Sequence, residues 1–251
     1  MVQSLDATRR RVLELNGGQI EHASITRFRL PPVATGYADA QIDDRGGPDE
    51  RFAWRAPTTM ALRARFSHPA GQLLGTAGFG FWNAPYGDPS RRRPALPRTA
   101  WFFYASSPSD LPIAPDSPGR GWFAATFDAS TLSALSLAPL APAVLALNWF
   151  AAGRWVWPAV RRRLGIYAAP ISADMSEWHD YRLEWTATGC RFLVDDHPVL
   201  ESPCSPRGNL GFVCWLDNQY LILTPGGRFR AGVLSLVNEQ WMDMTALRLE
   251  A

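Results

Sequence analysis

From Thr58 to His68 the chain reads TTMALRARFSH, and its apolar positions recur every second residue: Met60, Leu62, Ala64 and Phe66, with Arg63 and Arg65 between them. That period predicts a strand with one buried and one solvated face. SITRFRLPP repeats the pattern, Phe28 and Leu30 alternating with Arg27 and Arg29. In WHDYRLEWTATGCRFLVDD, Tyr181, Leu183 and Trp185 fall on one side and Asp180, Arg182 and Glu184 on the other. ATG supplies a turn, and the chain returns with Cys190, Phe192 and Val194 on one face. A second turn at DDHP leads into VLES, so the stretch predicts a three-strand antiparallel meander. The closing MTALRLEA alternates again.

Other stretches lose the alternation. RTAWFFYASS is apolar on both faces, which suits a central strand covered on both sides, and NLGFVCWLDNQYLIL reads as another apolar strand region. GWFAATFD predicts a further short strand. GTAGFGFWNAP is apolar but interrupted by Gly75, Gly78 and Gly80, which permit close backbone approach. GYADAQIDDRGGPDE, rich in Gly and Asp, reads as a loop, and GGRFRAG as a turn or loop.

Residues 129–166 depart from the strand pattern. LAPLAPAVLALNWFAAGRWVWPAVRRRLG has helical composition and no charge between Asp128 and Arg154. Pro139 and Pro142 interrupt it, so it predicts a helical insertion rather than a membrane span. Trp149, Trp155 and Trp157 beside Arg161, Arg162 and Arg163 give it the aromatic and basic character of a membrane-surface segment. An alternative role therefore follows: peripheral membrane or lipid association through the insertion. Many strands, Gly- and Pro-rich turns and one helical excursion predict a single all-β sandwich domain spanning 1–251, with the insertion at about 129–166.

Composition narrows the functional classes. Hydrophobic residues make up 47% of the 251 residues and charged residues 19%, enough for a filled core. A net charge of +2 gives no electrostatic basis for nucleic-acid binding. Three cysteines, Cys190, Cys204 and Cys214, lack metal-ligand spacing and read as buried free thiols. The four histidines are scattered, so neither a metal nor a cofactor is expected. The N-terminal MVQSLDATRRRVLEL lacks the apolar run of a secretory signal, which predicts a cytoplasmic protein, membrane-associated under the alternative.

The hairpin carries a family resemblance. Trp178, His179, Tyr181, Glu184 and Trp185, followed by Val194 and Asp195, resemble the corresponding hairpin of concanavalin A-like jelly rolls, above all the family-16 glycoside hydrolases. Asp196 stands where that family usually has Gly. The resemblance implies a jelly-roll sandwich of two antiparallel sheets and carbohydrate as ligand. It also implies a Glu-x-Asp-x-Glu strand for retaining hydrolysis, whose nucleophile and acid/base lie about 5–5.5 Å apart. RTAWFFYASSPSD takes that place here, with no carboxylate from Arg98 through Ser109. The expectation is a non-hydrolytic domain whose aromatic-lined cleft takes carbohydrate or an apolar small molecule.

Candidate ligand contacts follow. Trp82 and Trp101 would stack on a ring, with Tyr104 and Trp215 completing the aromatic lining. Asn83, Asp217 and Gln219 would orient the ligand by hydrogen bonds, Tyr86 and Asp88 following Asn83 in a loop. A further alternative is an enzyme on an apolar small molecule, with Asp217 or Asp110 as acid/base.

Overall fold

The computed structural model describes residues 2–3, 10–45, 52–84, 95–113, 119–131, 153–224 and 228–251. The strands are β1 (Val2–Gln3), β2 (Arg11–Leu15), β3 (Gln19–His22), β4 (Thr26–Leu30), β5 (Asp39–Asp43), β6 (Thr58–Phe66), β7 (Thr76–Trp82), β8 (Arg98–Ala105) and β9 (Gly121–Asp128). One helix, α1 (Gly153–Arg163), precedes β10 (Tyr167–Pro170), β11 (His179–Thr186), β12 (Gly189–Val194), β13 (His197–Ser202), β14 (Gly211–Asp217), β15 (Gln219–Leu223), β16 (Phe229–Val233) and β17 (Gln240–Glu250). An eight-stranded sheet runs β13-β12-β11-β6-β17-β4-β3, with β1 on the far end of β17. A seven-stranded sheet runs β10-β9-β8-β7-β14-β5-β2, and β15 and β16 form a separate hairpin. All pairings between these strands are antiparallel.

The two sheets bury their facing sides against each other. Phe28, Met60, Leu62, Phe66, Tyr181, Leu183, Trp185 and Phe192 meet Phe79, Phe81, Phe102, Tyr104, Phe212 and Leu216. Edge-to-face pairs cross the interface, Phe79–Tyr181 at 5.0 Å and Phe102–Phe192 at 5.3 Å between centroids, a geometry favoured by ring quadrupoles. The period-two expectations for β4, β6, β11 and β12 hold residue by residue. At the β12–β13 turn Asp195 and Asp196 take φ of 50° and 61°, the left-handed pair that a two-residue hairpin requires. Asp195 Oδ1 accepts from Asp180 N at 2.9 Å and its Oδ2 lies 2.6 Å from His179 Nδ1, which makes His179 a hairpin fastener.

Three expectations change. GYADAQIDDRGGPDE is not all loop: Asp39–Asp43 is β5, bonded on both edges by β14 and β2. GGRFRAG contributes β16 rather than a turn alone. The N-terminal segment supplies β2, which the sequence reading left without an element. Of the helical stretch, α1 is described and residues 132–152 lie outside the described residues. Gly165, at φ 64°, ends α1: Ile166 N donates to Arg161 O and Gly165 N to Arg162 O, a Schellman closure. The three cysteines are buried free thiols.

Candidate functional site

The seven-stranded sheet also buries much of its outer face. Its register places the outward residues in rows. Leu15, Asp39, Asp217, Thr76 and Ala105 form one row. Leu13, Gln41, Trp215, Gly78, Phe103 and Phe123 form the next. Arg11, Asp43, Val213, Gly80, Trp101 and Ala125 form the third, and Gly211, Trp82 and Thr99 the fourth. One half of the face is thus aromatic and the other carries carboxylates.

Glycine makes the aromatic half. At Gly78 and Gly80 β7 puts no side chain outward, so the neighbouring rings settle over its backbone. A Cβ at Gly78 would lie 2.2 Å from Phe102 O and 2.9 Å from Trp215 Cη2. Trp101 stands 5.3 Å from Trp215, 5.2 Å from Phe103 and 6.0 Å from Trp82, centroid to centroid. Trp82 and Trp101 are half-buried, while Trp215 and Phe103 are buried. Leu111 and Ile113 pack on this cluster.

Trp215 is held in place by a relay. Its Nε1 donates to Thr76 Oγ1 at 3.0 Å, and that hydroxyl donates to Asp217 Oδ1 at 2.8 Å. Asp217 Oδ1 also accepts from Thr76 N and Gln219 N, and Oδ2 from Gln219 Nε2 at 2.5 Å and the Tyr37 hydroxyl at 3.4 Å. Burial pushes the Asp217 carboxyl up to about 6, although these hydrogen bonds pull the other way. Asp39, directly opposite on β5, is held well above the usual carboxylate range, first by burial and then by the Asp217 charge. Burial, then the charges of Asp217 and Asp39, raise the Tyr37 hydroxyl too. At the far end of β5, Asp43 takes a two-pronged ion pair from Arg11, at 2.6 Å for Nη2 to Oδ2, and a hydrogen bond from Gln41 Nε2. Among the described residues, two polar atoms on this face are buried without a hydrogen-bond partner, Trp82 Nε1 and Asp39 Oδ1.

Of the residues expected to meet a ligand, the structure brings Trp82, Trp101 and Trp215 together. Asp217 and Gln219 lie beside them, but as anchors of the β14–β15 corner, with both Asp217 oxygens already accepting. Tyr104 is a correction. Strand alternation turns it inward with Phe102, where its hydroxyl donates to Leu73 O at 2.9 Å and accepts from Gly71 N at 3.0 Å. Asn83 is another: it is fully buried and closes the β7–β8 connection, Nδ2 donating to Leu96 O and Oδ1 accepting from Arg98 N, both at 2.9 Å. Tyr86 and Asp88 lie outside the described residues.

Asp110 is half-buried, and its backbone bonds to Leu221 and Leu223 of β15. Sequence reading missed Asp39, Gln41 and Asp43. The signal was there in DAQID, polar at every second position, masked by the turn-forming residues around it.

The membrane-facing reading of the insertion is partly overturned. Arg161 is 7% exposed and its Nη2 donates to Ile113 O, so it faces protein. Arg162 and Arg163 are exposed. Trp149 and the side chains of Trp155 and Trp157 lie outside what is described. No described helix is long and apolar enough to cross a membrane.

Two antiparallel sheets packed face to face match a known architecture. The carbohydrate recognition domain of Emp47p aligns over 96% of this chain and 87% of its own, with a TM-score of 0.50 at 9% identity. The fold is a jelly-roll sandwich. Other jelly rolls similar to it include the endo-β-1,4-glucuronan lyase of the fungus Trichoderma reesei, at 10% identity and TM-score 0.49 over 96% of this chain and 90% of that one. A β-1,3-glucanase from Mycobacterium marinum aligns at 14% identity and TM-score 0.45 over 98% and 92%. No family model and no curated protein matches the chain. The jelly-roll likeness is one of fold. The chemistry of the site rests on the residues just described.

Proposed function

We propose that the outer face of the seven-stranded sheet binds carbohydrate and does not hydrolyse it. The observation that carries the reading is the Trp82–Trp101–Phe103–Trp215 floor over Gly78 and Gly80, with the unpartnered Trp82 Nε1 and Asp39 Oδ1 on the same face. A sugar ring offers an apolar face to stack and hydroxyls to pair with such atoms. Asp43 and Asp217 have their oxygens committed to Arg11, Gln41, Thr76 and Gln219, which favours holding over attack. The name of the Emp47p domain is consistent with sugar as the ligand.

The test is calorimetric titration with a panel of glucan, galactan and other oligosaccharides, after a thermal-shift screen. One sugar class should bind, and Trp101→Ala should weaken it about tenfold or more. The reading fails if no sugar binds, or if Trp101→Ala binds as tightly as the parent chain.

A second reading, acid/base catalysis on a small molecule in the same cleft, draws on one observation. Asp39 keeps a free buried oxygen and a raised affinity for its proton, the state a general acid needs. Asp217 suits that role less, since its carboxylate bonds hold the β14–β15 corner, and Asp110 lies beside β15 rather than on the aromatic face. Loss of turnover in Asp39→Asn, with ligand affinity retained, would favour this reading over the first.

A further inference from the structure

We infer that the β15–β16 hairpin is a second binding surface, one that docks on an anionic lipid bilayer. Its register pairs Gln219 with Val233, Leu221 with Ala231 and Leu223 with Phe229. Directly opposed residues of an antiparallel pair share a face, so one face of the hairpin carries Leu221, Leu223, Phe229, Ala231 and Val233, with Gln219 at its base bonded to Asp217. That face is open: Phe229 is 73% exposed, Leu223 41% and Val233 40%. Such a surface is more than the scattered apolar residues normal on a protein exterior.

Charge identifies the occupant. From Asn218 to Asn238 the sequence holds Arg228 and Arg230 and no other charged residue. The two arginines flank Phe229, the most exposed aromatic among the described residues, and Arg230 lies on the opposite face from it, 6.0 Å from the Tyr220 ring. The neighbouring acid, Asp110, has Oδ1 3.5 Å from Gly119 N, an acceptor contact within its own loop. An apolar face with arginines at the positions on either side of Phe229 fits lipid tails below, the long arginine side chains reaching acidic headgroups around them.

A protein partner fits less well. Five side chains on one short hairpin fall far short of the roughly 20–30 residues a side of a stable interface. A second copy docked by two-fold symmetry would bring like arginines together.

The test is co-sedimentation of the full chain with phosphatidylcholine vesicles, with and without phosphatidylserine, at low and high salt. Binding should appear with phosphatidylserine and weaken with salt. Arg228→Ala and Arg230→Ala should each lower partitioning about fivefold, and Phe229→Ser about tenfold. Thermal melts equal to the parent chain's would show that these exposed substitutions leave the fold intact. Equal binding to both vesicle types, no binding to either, or Phe229→Ser binding like the parent chain would overturn the proposal. A self-association abolished by Phe229→Ser, without vesicle binding, would reassign the face to a second copy.

Discussion

On the outer face of the eight-stranded sheet, Arg65 lies over Trp178 and Trp241 at 4.8 and 5.2 Å, and Arg27 over Trp241 at 4.5 Å. All are partly exposed and gather round one buried carboxylate, Asp243, to which Arg27 Nε donates at 2.7 Å and Arg65 Nε at 3.1 Å. On the outer face of the seven-stranded sheet, Trp101, Phe103 and Trp215 pack on one another over bare glycine backbone, and the carboxylates beside them stand in a row. Both faces use tryptophan. In the first it shields cations at a wet surface, and in the second it makes a largely dry floor. A sheet with one wet face alternates in sequence, whereas a sheet covered twice does not. The loss of alternation in β8 and β14 therefore marks the face that is covered rather than wet.

Four substitutions break or sharpen that contrast. Gly78→Val puts a side chain into Phe102 O and the Trp215 ring, and should cost about 3 kcal/mol in denaturant unfolding. Ala61→Val, outward on β6, should stay within about 0.5 kcal/mol. Asp243→Ala strips two arginines of their common partner. It should cost about 2 kcal/mol, since both arginines retain water contact. Thr76→Val cuts the Trp215–Thr76–Asp217 relay and should cost about 1 kcal/mol by calorimetric melting.

A further effect has a sign set by pH. Asp39 binds its proton more tightly folded than unfolded, so its ionisation penalises the fold once pH rises above the ordinary value of 3.8. Asp39→Asn should melt close to the parent chain near pH 4 and gain on it as pH rises, by about 1 kcal/mol or less. A constant difference across pH would deny Asp39 its raised proton affinity.

The sandwich was legible because its strands declare themselves by period two, and Tyr181, Leu183, Trp185 and Phe192 all point where that period sends them. The site was legible only in its aromatic half. Trp101 and Tyr104 looked alike in an unbroken apolar run, and only the phase of β8 separates the ring on the outer face from the ring in the core. The acidic half was hidden for another reason. Asp39 and Asp43 are turn-forming types in a Gly- and Asp-rich stretch, and their strand exists because β14 and β2 bond it on both edges. Those partners are far away in sequence, so no local reading reaches them. Phe229 and Leu223 share a face for the same reason, through a pairing that the turn-like GGRFRAG concealed.

The crowding of Trp82, Trp101 and Trp215 has an optical side. Three indoles with centroid spacings of 6.0 and 5.3 Å along the chain of contacts couple their excited states. Light absorbed by one should be shared with the others, and the ultraviolet circular dichroism of the cluster is expected to split into bands of opposite sign. Trp178 and Trp241 sit across the sandwich beside guanidinium groups instead. A sugar stacked on Trp82 and Trp101 should alter that signal, so that the cluster would report binding without an added dye.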